Sequence, residues 1–551
     1  MILLFLMRLL QFNTRTMKCK ITSLMMLFLP LLTIAQEAEE VGLDQKIDKA
    51  FAPISKFFSD IIFFNVWKDP DIPFVLVLLV FSALFFTIYF GFPNIRYFGK
   101  AINTVRGKYD DVENGGLEKT NMAIDGDIPD TIKDESEEGE VSHFQALATA
   151  VSGTVGNGNI AGVALAIALG GPGATFWMIV CGLIGMSTKF VECTLGVQYR
   201  DVGEDGTIYG GPMYYISKGL KERGFTMLGK IAAVLFAIFC IGGSFGGGNA
   251  AQSNQATIVL KELMGLESTS AGAIIGLILA VLVGVIIIGG IKRIASVTEK
   301  VVPFMAVMYL IACLYILLSN FSLIDDAVAL IFEEAFNPTA IGVGTIIGVL
   351  LVGFKRAAFS NEAGAGSASI AHSAVRTKYS ASEGLVALLE PFIDTVVICT
   401  MTALVIIIFN FGGAFEYGGT GTGVVMIDGM PFEGAGITSK AFAQYIPYSN
   451  VFLTIAVVLF AVSTMISWSY YGLQSWKFLF GRGKAADIVY KLLFLSFIVI
   501  GAAASMKSIW DFSDAMIFAM VFPNMVGLFF LFPVVKKELV RYLQAIKAIK
   551  S

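Results

Sequence analysis

Long apolar blocks recur along almost the whole chain and are separated by polar connectors. A stretch of roughly 18 or more apolar residues is a transmembrane-helix candidate, because a helix satisfies its own backbone hydrogen bonds in hydrocarbon. Only 15% of the 551 residues are charged, compared with about a quarter in soluble proteins. These features predict an all-α polytopic membrane protein that spans a lipid bilayer, and the lack of a basic groove pattern argues against a nucleic-acid partner.

Apolar length, together with glycine, proline and charge breaks, divides the chain into eleven predicted spans. The spans are residues 73–91, 145–170, 174–199, 228–259, 272–290, 301–319, 340–370, 383–408, 450–476, 486–505 and 512–534. A leading helix, 73–91, is thus followed by ten more. The connector between them, 92–142, is acidic over 109–140 and lacks apolar periodicity, so we expect a solvated loop rather than a partner-binding segment.

The N-terminus has the pattern of a secretory signal peptide. Lys18 and Lys20 precede a short apolar run that ends in a polar, acidic stretch near Ala35 and Gln36, where cleavage is expected. Residues 1–36 are therefore interpreted as a signal peptide with an upstream extension, and 37–72 as an extracytoplasmic segment. A first transmembrane anchor is the alternative interpretation.

Lysine and arginine placement predicts the orientation of the spans. With the N-terminus outside, the connectors that carry most of the positive charge lie inside, as the positive-inside rule requires. Outside connectors after the leading helix hold only Lys261, Lys440 and Lys507. The sequence therefore predicts a multi-pass protein of the bacterial cytoplasmic (inner) membrane, with a cytoplasmic connector 92–142 and a cytoplasmic C-terminal tail, 536–551.

The ten later spans form two blocks of five, residues 143–320 and 338–535. Because five is odd, the second block must cross the membrane in the opposite sense to the first. The first span of each block is interrupted, by GTVGNGN at 153–159 and by GFKRAAFSNEAGAG at 353–366. Interrupted spans at matching positions of two halves indicate a transporter site. Close helix packing also favours small residues, but it does not explain Asn157, Asn159, Asn361 and Glu362.

Five motifs carry a family resemblance. They are GTVGNGNIAGVALAIALGGPG at 153–173, GGPMYYI at 210–216, FSNEAGAGSASIAHSAV at 359–375, DTVVICTMTALVII at 394–407 and STMISWSYYG at 463–472. From about residue 73 onward the chain resembles the alanine or glycine:cation symporter family. The resemblance implies a LeuT-like 5+5 inverted repeat with one additional N-terminal helix. It also implies import of a small neutral amino acid, alanine or glycine, with Na⁺ as coupling ion and no other cofactor. Asn157 departs from the family pattern, which usually has threonine there, and this leaves the substrate preference open.

The first break offers groups for both ends of an amino acid and for a cation. The amides near Asn157 and Gly158 begin a half-helix, whose dipole favours a carboxylate. By resemblance to LeuT-type proteins, the carbonyls of Ser152 and Val155 face Na⁺. The adjacent hydroxyls of Ser463 and Thr464 are further candidate Na⁺ ligands, because hard cations prefer oxygen. A hydroxyl bonded back to its own helix is the alternative for either one.

Four further residues are candidates for the substrate pocket. Trp468 shares a helix face with Thr464, itself a candidate substrate contact, and is predicted to wall the pocket; simple aromatic packing is the alternative. Gln252 is expected to hydrogen-bond the substrate, whereas Asn249 and Asn254 fit helix–helix contacts better. Phe354 is expected to close on the ligand.

Charged residues inside the spans suggest a second mode of coupling. Lys189 and Glu192 are spaced to pair along one helix, and Lys355 or Arg356 is a candidate partner for Glu362. Glu390 and Asp394 are intramembrane carboxylates, which are functional by default, so H⁺ coupling is an alternative to Na⁺ coupling.

Two other classes of protein compete with a transporter. An enzyme would need a nucleophile–base pair or a metal cluster, but the six cysteines have no metal-ligand spacing and the two histidines, His143 and His372, have no plausible metal set beside them. An amino-acid or ion channel would favour a symmetric oligomer around a pore, whereas an inverted repeat favours one central site within the chain.

Overall fold

The structure, a computed structural model, describes residues 42–68, 71–113, 139–203, 206–266, 268, 270–339, 345–419 and 421–550. The predicted signal peptide, its cleavage point and residues 114–138 of the acidic connector lie outside this range. Helices dominate the described chain, and three two-stranded hairpins lie between them. The prediction of an all-α polytopic fold is confirmed.

An amphipathic helix, not predicted from the sequence, precedes the leading span. The N-terminal elements are α1 Leu43–Ile62, β1 Asn65–Lys68, β2 Asp71–Pro73, α2 Phe74–Tyr89, α3 Pro93–Arg96, α4 Phe98–Val105 and α5 Asp110–Glu113. In α1, Phe51, Ser55 and Ile62 share one buried face, and the Phe51 ring contacts Phe512 with centroids 5.2 Å apart. This stripe packs α1 against the last long helix of the chain.

The first block opens on a helix that breaks and resumes at an angle. Its elements are α6 His143–Thr154, a π-turn Gly158–Gly162, α7 Val163–Gly170, α8 Gly173–Gln198, β3 Asp201–Val202, β4 Ile208–Tyr209, α9 Pro212–Glu222, α10 Thr226–Phe245, a π-turn Gly246–Ala250, α11 Ala251–Met264, α12 Ala271–Ile287 and α13 Gly290–Ser319. A capping box between Ser142 and Gln145 begins α6. The two halves of the broken span are bent by 49°.

A 3₁₀ turn and a helix connect the first block to the second, which also contains an interrupted helix near its start. Its elements are a 3₁₀ turn Phe321–Leu323, α14 Ile324–Phe336, α15 Ile346–Asn361, α16 Ala368–His372, α17 Ser380–Ala387, α18 Leu389–Pro391, a π-turn Phe392–Cys399, α19 Thr400–Asn410, β5 Val425–Ile427, β6 Met430–Phe432, α20 Ala435–Tyr445, α21 Ser449–Phe480, α22 Lys484–Ala503 and α23 Met506–Lys550. The segment between α15 and α16 turns sharply, with positive φ at Glu362, Gly364 and Gly366.

Every predicted span overlaps a described helix, but the count of eleven stays a prediction. In the described ranges, seven helices are long and apolar enough to cross a membrane, or eight when α6 and the resumed helix count as one span. The helices α2 and α12 are shorter apolar helices. The predicted tail, 536–551, continues α23 as a helix up to Lys550, because Leu539, Tyr542 and Ile546 recur at helical spacing on its buried face.

Helices of the first block are interleaved with helices of the second block, so that the two blocks share one core. Helix α8 lies against α15 and α17, α12 lies against α22, and α21 lies against α6, α10 and α11. As a result both helix breaks are fully surrounded by protein, which is the setting that non-helical backbone requires at membrane depth.

Candidate functional site

The two helix breaks meet at the centre of the fold. A Cβ added to Gly158 would lie 3.4 Å from the Ser360 hydroxyl at the end of α15. Asn159 donates to Asp394 Oδ1 at 2.6 Å, and Ser360 donates to the same oxygen at 3.1 Å. Asp394 therefore ties both breaks to the π-turn that precedes α19. Asn361 reaches that turn as well and donates to the Thr395 hydroxyl at 3.0 Å.

Side chains satisfy the backbone groups that the first break releases. The Gly156 amide donates to Asn159 Oδ1 at 2.9 Å, and the Asn157 amide donates to Gln252 Oε1 at 2.9 Å. Asn157 Nδ2 donates to the Gln252 carbonyl at 3.2 Å. Asn157 Oδ1 is buried and has no hydrogen-bond partner among the described residues. A buried acceptor of this kind costs stability unless something donates to it, so it is a candidate ligand contact.

Oxygen atoms from α6 and α21 converge beside this break. The Thr464 hydroxyl donates to the Ser152 carbonyl at 3.0 Å, and the Ser152 hydroxyl donates to the Ser463 carbonyl at 2.9 Å. Val155 ends α6 with a non-helical ψ of 89°. The structure thus brings Ser152 and Thr464 together, with Ser463 beside them.

The Ser463 hydroxyl points along its own helix. It donates to the Phe460 carbonyl at 3.0 Å and lies 3.4 Å from Met305 Sδ. This is the local bond that the sequence left open as an alternative for Ser463. At this position the backbone carbonyl, rather than the hydroxyl, faces α6.

Trp468 joins the scaffold helix α21 to the second break. Its indole nitrogen donates to Glu362 Oε1 at 3.0 Å, and Ser367 donates to the other oxygen of that carboxylate. The ring lies directly on Gly248, where an added Cβ would be 2.1 Å from Trp468 Cγ. The left-handed conformation of Glu362, with φ of 56°, is therefore held from two sides.

The ion pairs expected around Glu362 and Lys189 are replaced by others. Lys355 lies 2.9 Å from Asp514, and Arg356 pairs with the same carboxylate, so neither cation pairs with Glu362. Lys189 pairs with Glu390 at 3.0 Å instead of with Glu192, which accepts from Asn524 at 2.7 Å. Intramembrane charges have to find partners, but these partners lie far away in sequence and only the fold brings them close.

Gln252 and its neighbours Asn249 and Asn254 make two kinds of contact. Gln252 reaches the first break, and its Nε2 also donates to the Gly247 carbonyl at 2.9 Å. Asn249 donates to the Phe494 carbonyl at 2.6 Å, and Asn254 donates to the Gly501 carbonyl at 3.0 Å. Asn249 therefore links the π-turn Gly246–Ala250 to α22, and Asn254 links α11 to α22.

Phe354 lies outside the cluster that contains Asn157, Gln252 and Thr464. Its ring packs beside Trp177 of α8, with centroids 6.3 Å apart. Phe359 lies on the other side of α15, because five residues rotate a helix by about 140° beyond one turn. It stacks on Trp510 and lies within 3.5 Å of a Cβ built on Gly247. The sequence missed Phe359, and it missed Ser360 although that residue lies within the SNEAG motif.

Known proteins match this chain along most of its length. The model of the sodium:alanine symporter family matches residues 60–551. The sodium/alanine symporter AgcS of Methanococcus maripaludis is 38% identical over 468 residues, which cover 85% of this chain and 93% of that protein. The probable sodium/glutamine symporter GlnT of Bacillus subtilis is 32% identical, over 87% of this chain and 89% of that protein. Among solved structures, MhsT in complex with L-phenylalanine is 14% identical with a TM-score of 0.45, over 73% of this chain and 99% of that one.

Proposed function

Because the chain belongs to the sodium:alanine symporter family, and is therefore an amino acid:cation symporter rather than an enzyme, we propose that it imports alanine or glycine together with Na⁺. The observation that carries this proposal is the hydrogen bond of 3.0 Å from the Thr464 hydroxyl to the Ser152 carbonyl. It brings two oxygen ligands from two different helices into contact at a helix break. Hard cations select such oxygen sites.

Sodium binding would replace that hydrogen bond with shared coordination. The Thr464 hydroxyl rotates its proton away and presents a lone pair, while the carbonyls of Ser152 and Val155 supply further ligands. Ser463 contributes through the carbonyl that now accepts from Ser152. Since these ligands come from α6 and α21, Na⁺ binds best when the two helices are close together, and this gives the ion its differential affinity for one arrangement of the protein.

The amino acid would bind at the start of the π-turn. The Gly158 amide and the positive end of the half-helix attract the carboxylate. In this structure Gln252 Oε1 accepts from the Asn157 amide, so a carboxylate that takes this amide exchanges places with Gln252. Asn157 Oδ1, buried without a partner among the described residues, then accepts from the substrate ammonium.

Close packing around the break supports a small, neutral substrate. A Cβ on Gly156 would already lie 2.4 Å from the Thr464 hydroxyl, and Trp468 fills the space over Gly248. The carboxylate nearest the break, Asp394, accepts from Asn159, Ser360 and Thr395. The Asp394 carboxylate is therefore already hydrogen-bonded within the protein and is not left to bind a cationic substrate side chain.

Transport into proteoliposomes tests the proposal. Uptake of labelled alanine, glycine and glutamine is measured while a Na⁺, Li⁺ or H⁺ gradient is imposed in turn. We expect saturable uptake of alanine or glycine that follows the Na⁺ gradient. Uptake driven by H⁺ and indifferent to Na⁺ would favour the H⁺-coupled alternative, and flux without saturation would favour a channel.

For the topology we propose a cytoplasmic-membrane protein with α1 outside and the end of α23 inside. The excess of Lys and Arg in the connectors on one side supports this orientation. Single cysteines at the exposed positions Lys56 and Lys547 test it, because the native cysteines within the described range are buried. A membrane-impermeant maleimide should label Lys56→Cys on intact cells and Lys547→Cys only after permeabilisation; the reverse pattern would invert the topology.

A further inference from the structure

Both histidines of the chain lie in one buried ionic cluster. His143, at the start of α6, and His372, at the end of α16, each present Nδ1 to a different oxygen of Glu383. His372 Nε2 faces Glu390 Oε2 at 3.5 Å, and Lys189 Nζ lies 3.0 Å from Glu390 Oε1. The side chains of Lys189, His372, Glu383 and Glu390 are all 0% exposed.

The contact between His372 and Glu390 requires a proton. Because the Glu383 carboxylate accepts, His372 Nδ1 is the donor of that bond, and Nε2 of a neutral ring is then an acceptor. Two acceptors, a ring nitrogen and a carboxylate oxygen, would face each other in a dry site, which is unfavourable. A proton on the ring nitrogen turns this repulsion into a charge-assisted hydrogen bond to the Glu390 carboxylate.

The charge balance of the surroundings points the same way. Groups from the neighbouring elements that face the cluster are Glu192 and Cys193 of α8, Glu362 of the second break and Tyr471 of α21. The two carboxylates that contact the rings, Glu383 and Glu390, and the ammonium of Lys189 together leave one negative charge, which one imidazolium ring offsets. Uncompensated charge is costly in the interior, so the charge balance favours a proton on one of the two rings.

A path leads from the surface to this contact. A cavity of about 400 Å³ is lined by His143 together with Asp110, Glu140 and Arg376, beside the connectors that the sequence places in the cytoplasm. From the cavity, His143, Glu383, His372 and Glu390 follow one another through the contacts given above. His372 is also the last residue of α16, the short helix that follows the second break.

We propose that His372 and Glu390 form a proton-binding site, filled from this cavity through His143 and Glu383. The proton stabilises α16 and, through it, the second break, so that transport depends on the pH at this face of the membrane. This proton site is separate from the proposed Na⁺ ligands, and its pH dependence goes beyond Na⁺-coupled uptake. Two measurements test it, and only one of them depends on transport.

Histidine-selective ¹⁵N labelling reads this site directly, because the chain holds two histidines and both are in the cluster. The protein carries a tag without histidine, and His143→Gln assigns the two imidazole signals. Between about pH 5 and about pH 10, we expect the His372 ring to change from imidazolium to neutral, and Glu390→Gln to shift or abolish this change. Glu538→Gln, a buried glutamate paired with Arg541 in α23, is the matched control and should leave it intact. A His372 ring that keeps one protonation state throughout would overturn the proposal.

Uptake with the pH changed on one face at a time provides the second readout. With the Na⁺ gradient fixed, wild-type uptake should change by up to about tenfold per pH unit on the cavity face, the limit for one linked proton. The profile should flatten in Glu390→Gln and His372→Gln but not in Glu538→Gln. Na⁺-driven uptake that ignores pH on that face would overturn this inference and leave the proposed function standing. If the variants do not transport, the wild-type ¹⁵N titration decides alone.

Discussion

Gly156 is the position where a single methyl group should do most damage to cation binding. A Cβ there would lie 2.4 Å from the Thr464 hydroxyl and 3.0 Å from Gln252 Oε1, and Gly156 does not have a positive φ, so the cost is steric rather than conformational. Overpacking costs about 1–3 kcal/mol, and the Na⁺-bound state bears this cost most, because the proposed shared coordination requires the Thr464 oxygen to stay beside the Ser152 carbonyl. A loss of about 2 kcal/mol weakens apparent Na⁺ affinity roughly 30-fold.

The assay is the initial rate of alanine uptake into proteoliposomes as a function of Na⁺ concentration. Gly162→Ala is the matched control, because its Cβ would lie 3.5 Å from Trp510 in ordinary contact; its Na⁺ dependence should resemble that of the wild type. Adding Gly156→Ala to Thr464→Ala should cost less than adding it to the wild type, since the Thr464 hydroxyl is then gone and the contact with Gln252 Oε1 at 3.0 Å remains. If Gly156→Ala has the same Na⁺ dependence as Gly162→Ala, the contact does not limit ion binding and the reasoning fails.

Three further changes probe other contacts. Thr464→Ala should raise the half-maximal Na⁺ concentration about tenfold and Ser463→Ala less; unchanged Na⁺ affinity in both excludes this site. Trp468→Phe removes the donor to Glu362 and should lower the melting temperature of the solubilised protein, measured by thermal unfolding. A melting temperature equal to that of the wild type would show that this contact does not stabilise the fold. Burial raises the pKa of Asp44 above its ordinary value of 3.8, so docking of α1 should weaken as pH rises through the raised pKa. Hydrogen exchange in α1 should therefore depend on pH in the wild type and lose this dependence in Asp44→Asn. The same pH profile in the wild type and in Asp44→Asn would contradict this prediction.

The sequence was sufficient to predict where the helices break but not what holds each break in place. The glycines at 156 and 158, with asparagines among them, indicated a non-helical segment because lipid does not tolerate free backbone groups. Asn159 bonds both its neighbour Gly156 and Asp394. The second bond could not be predicted, because Asn159 and Asp394 are 235 residues apart in the sequence. The role of Phe354 stays a prediction for a related reason: the motif fixes its position in the chain, but only the packing of α15 on α8 decides which face it occupies, and there its ring lies beside Trp177.

Exchange of partners gives the breaks a way to bind ligands reversibly. Gln252 Oε1 accepts from the Asn157 amide as a carboxylate would, and the Thr464 hydroxyl occupies the Ser152 carbonyl as Na⁺ would. These two proposed ligand contacts would therefore each replace an existing hydrogen bond, and the net gain of such an exchange is small compared with the gross energy of the bond. A transporter has to release what it binds, so a site whose internal partners imitate its ligands keeps the bound and empty states close in free energy. The exception is Asn157 Oδ1, which has no partner to give up within the described chain, and for that reason the residue at 157 should weigh most in the choice of substrate.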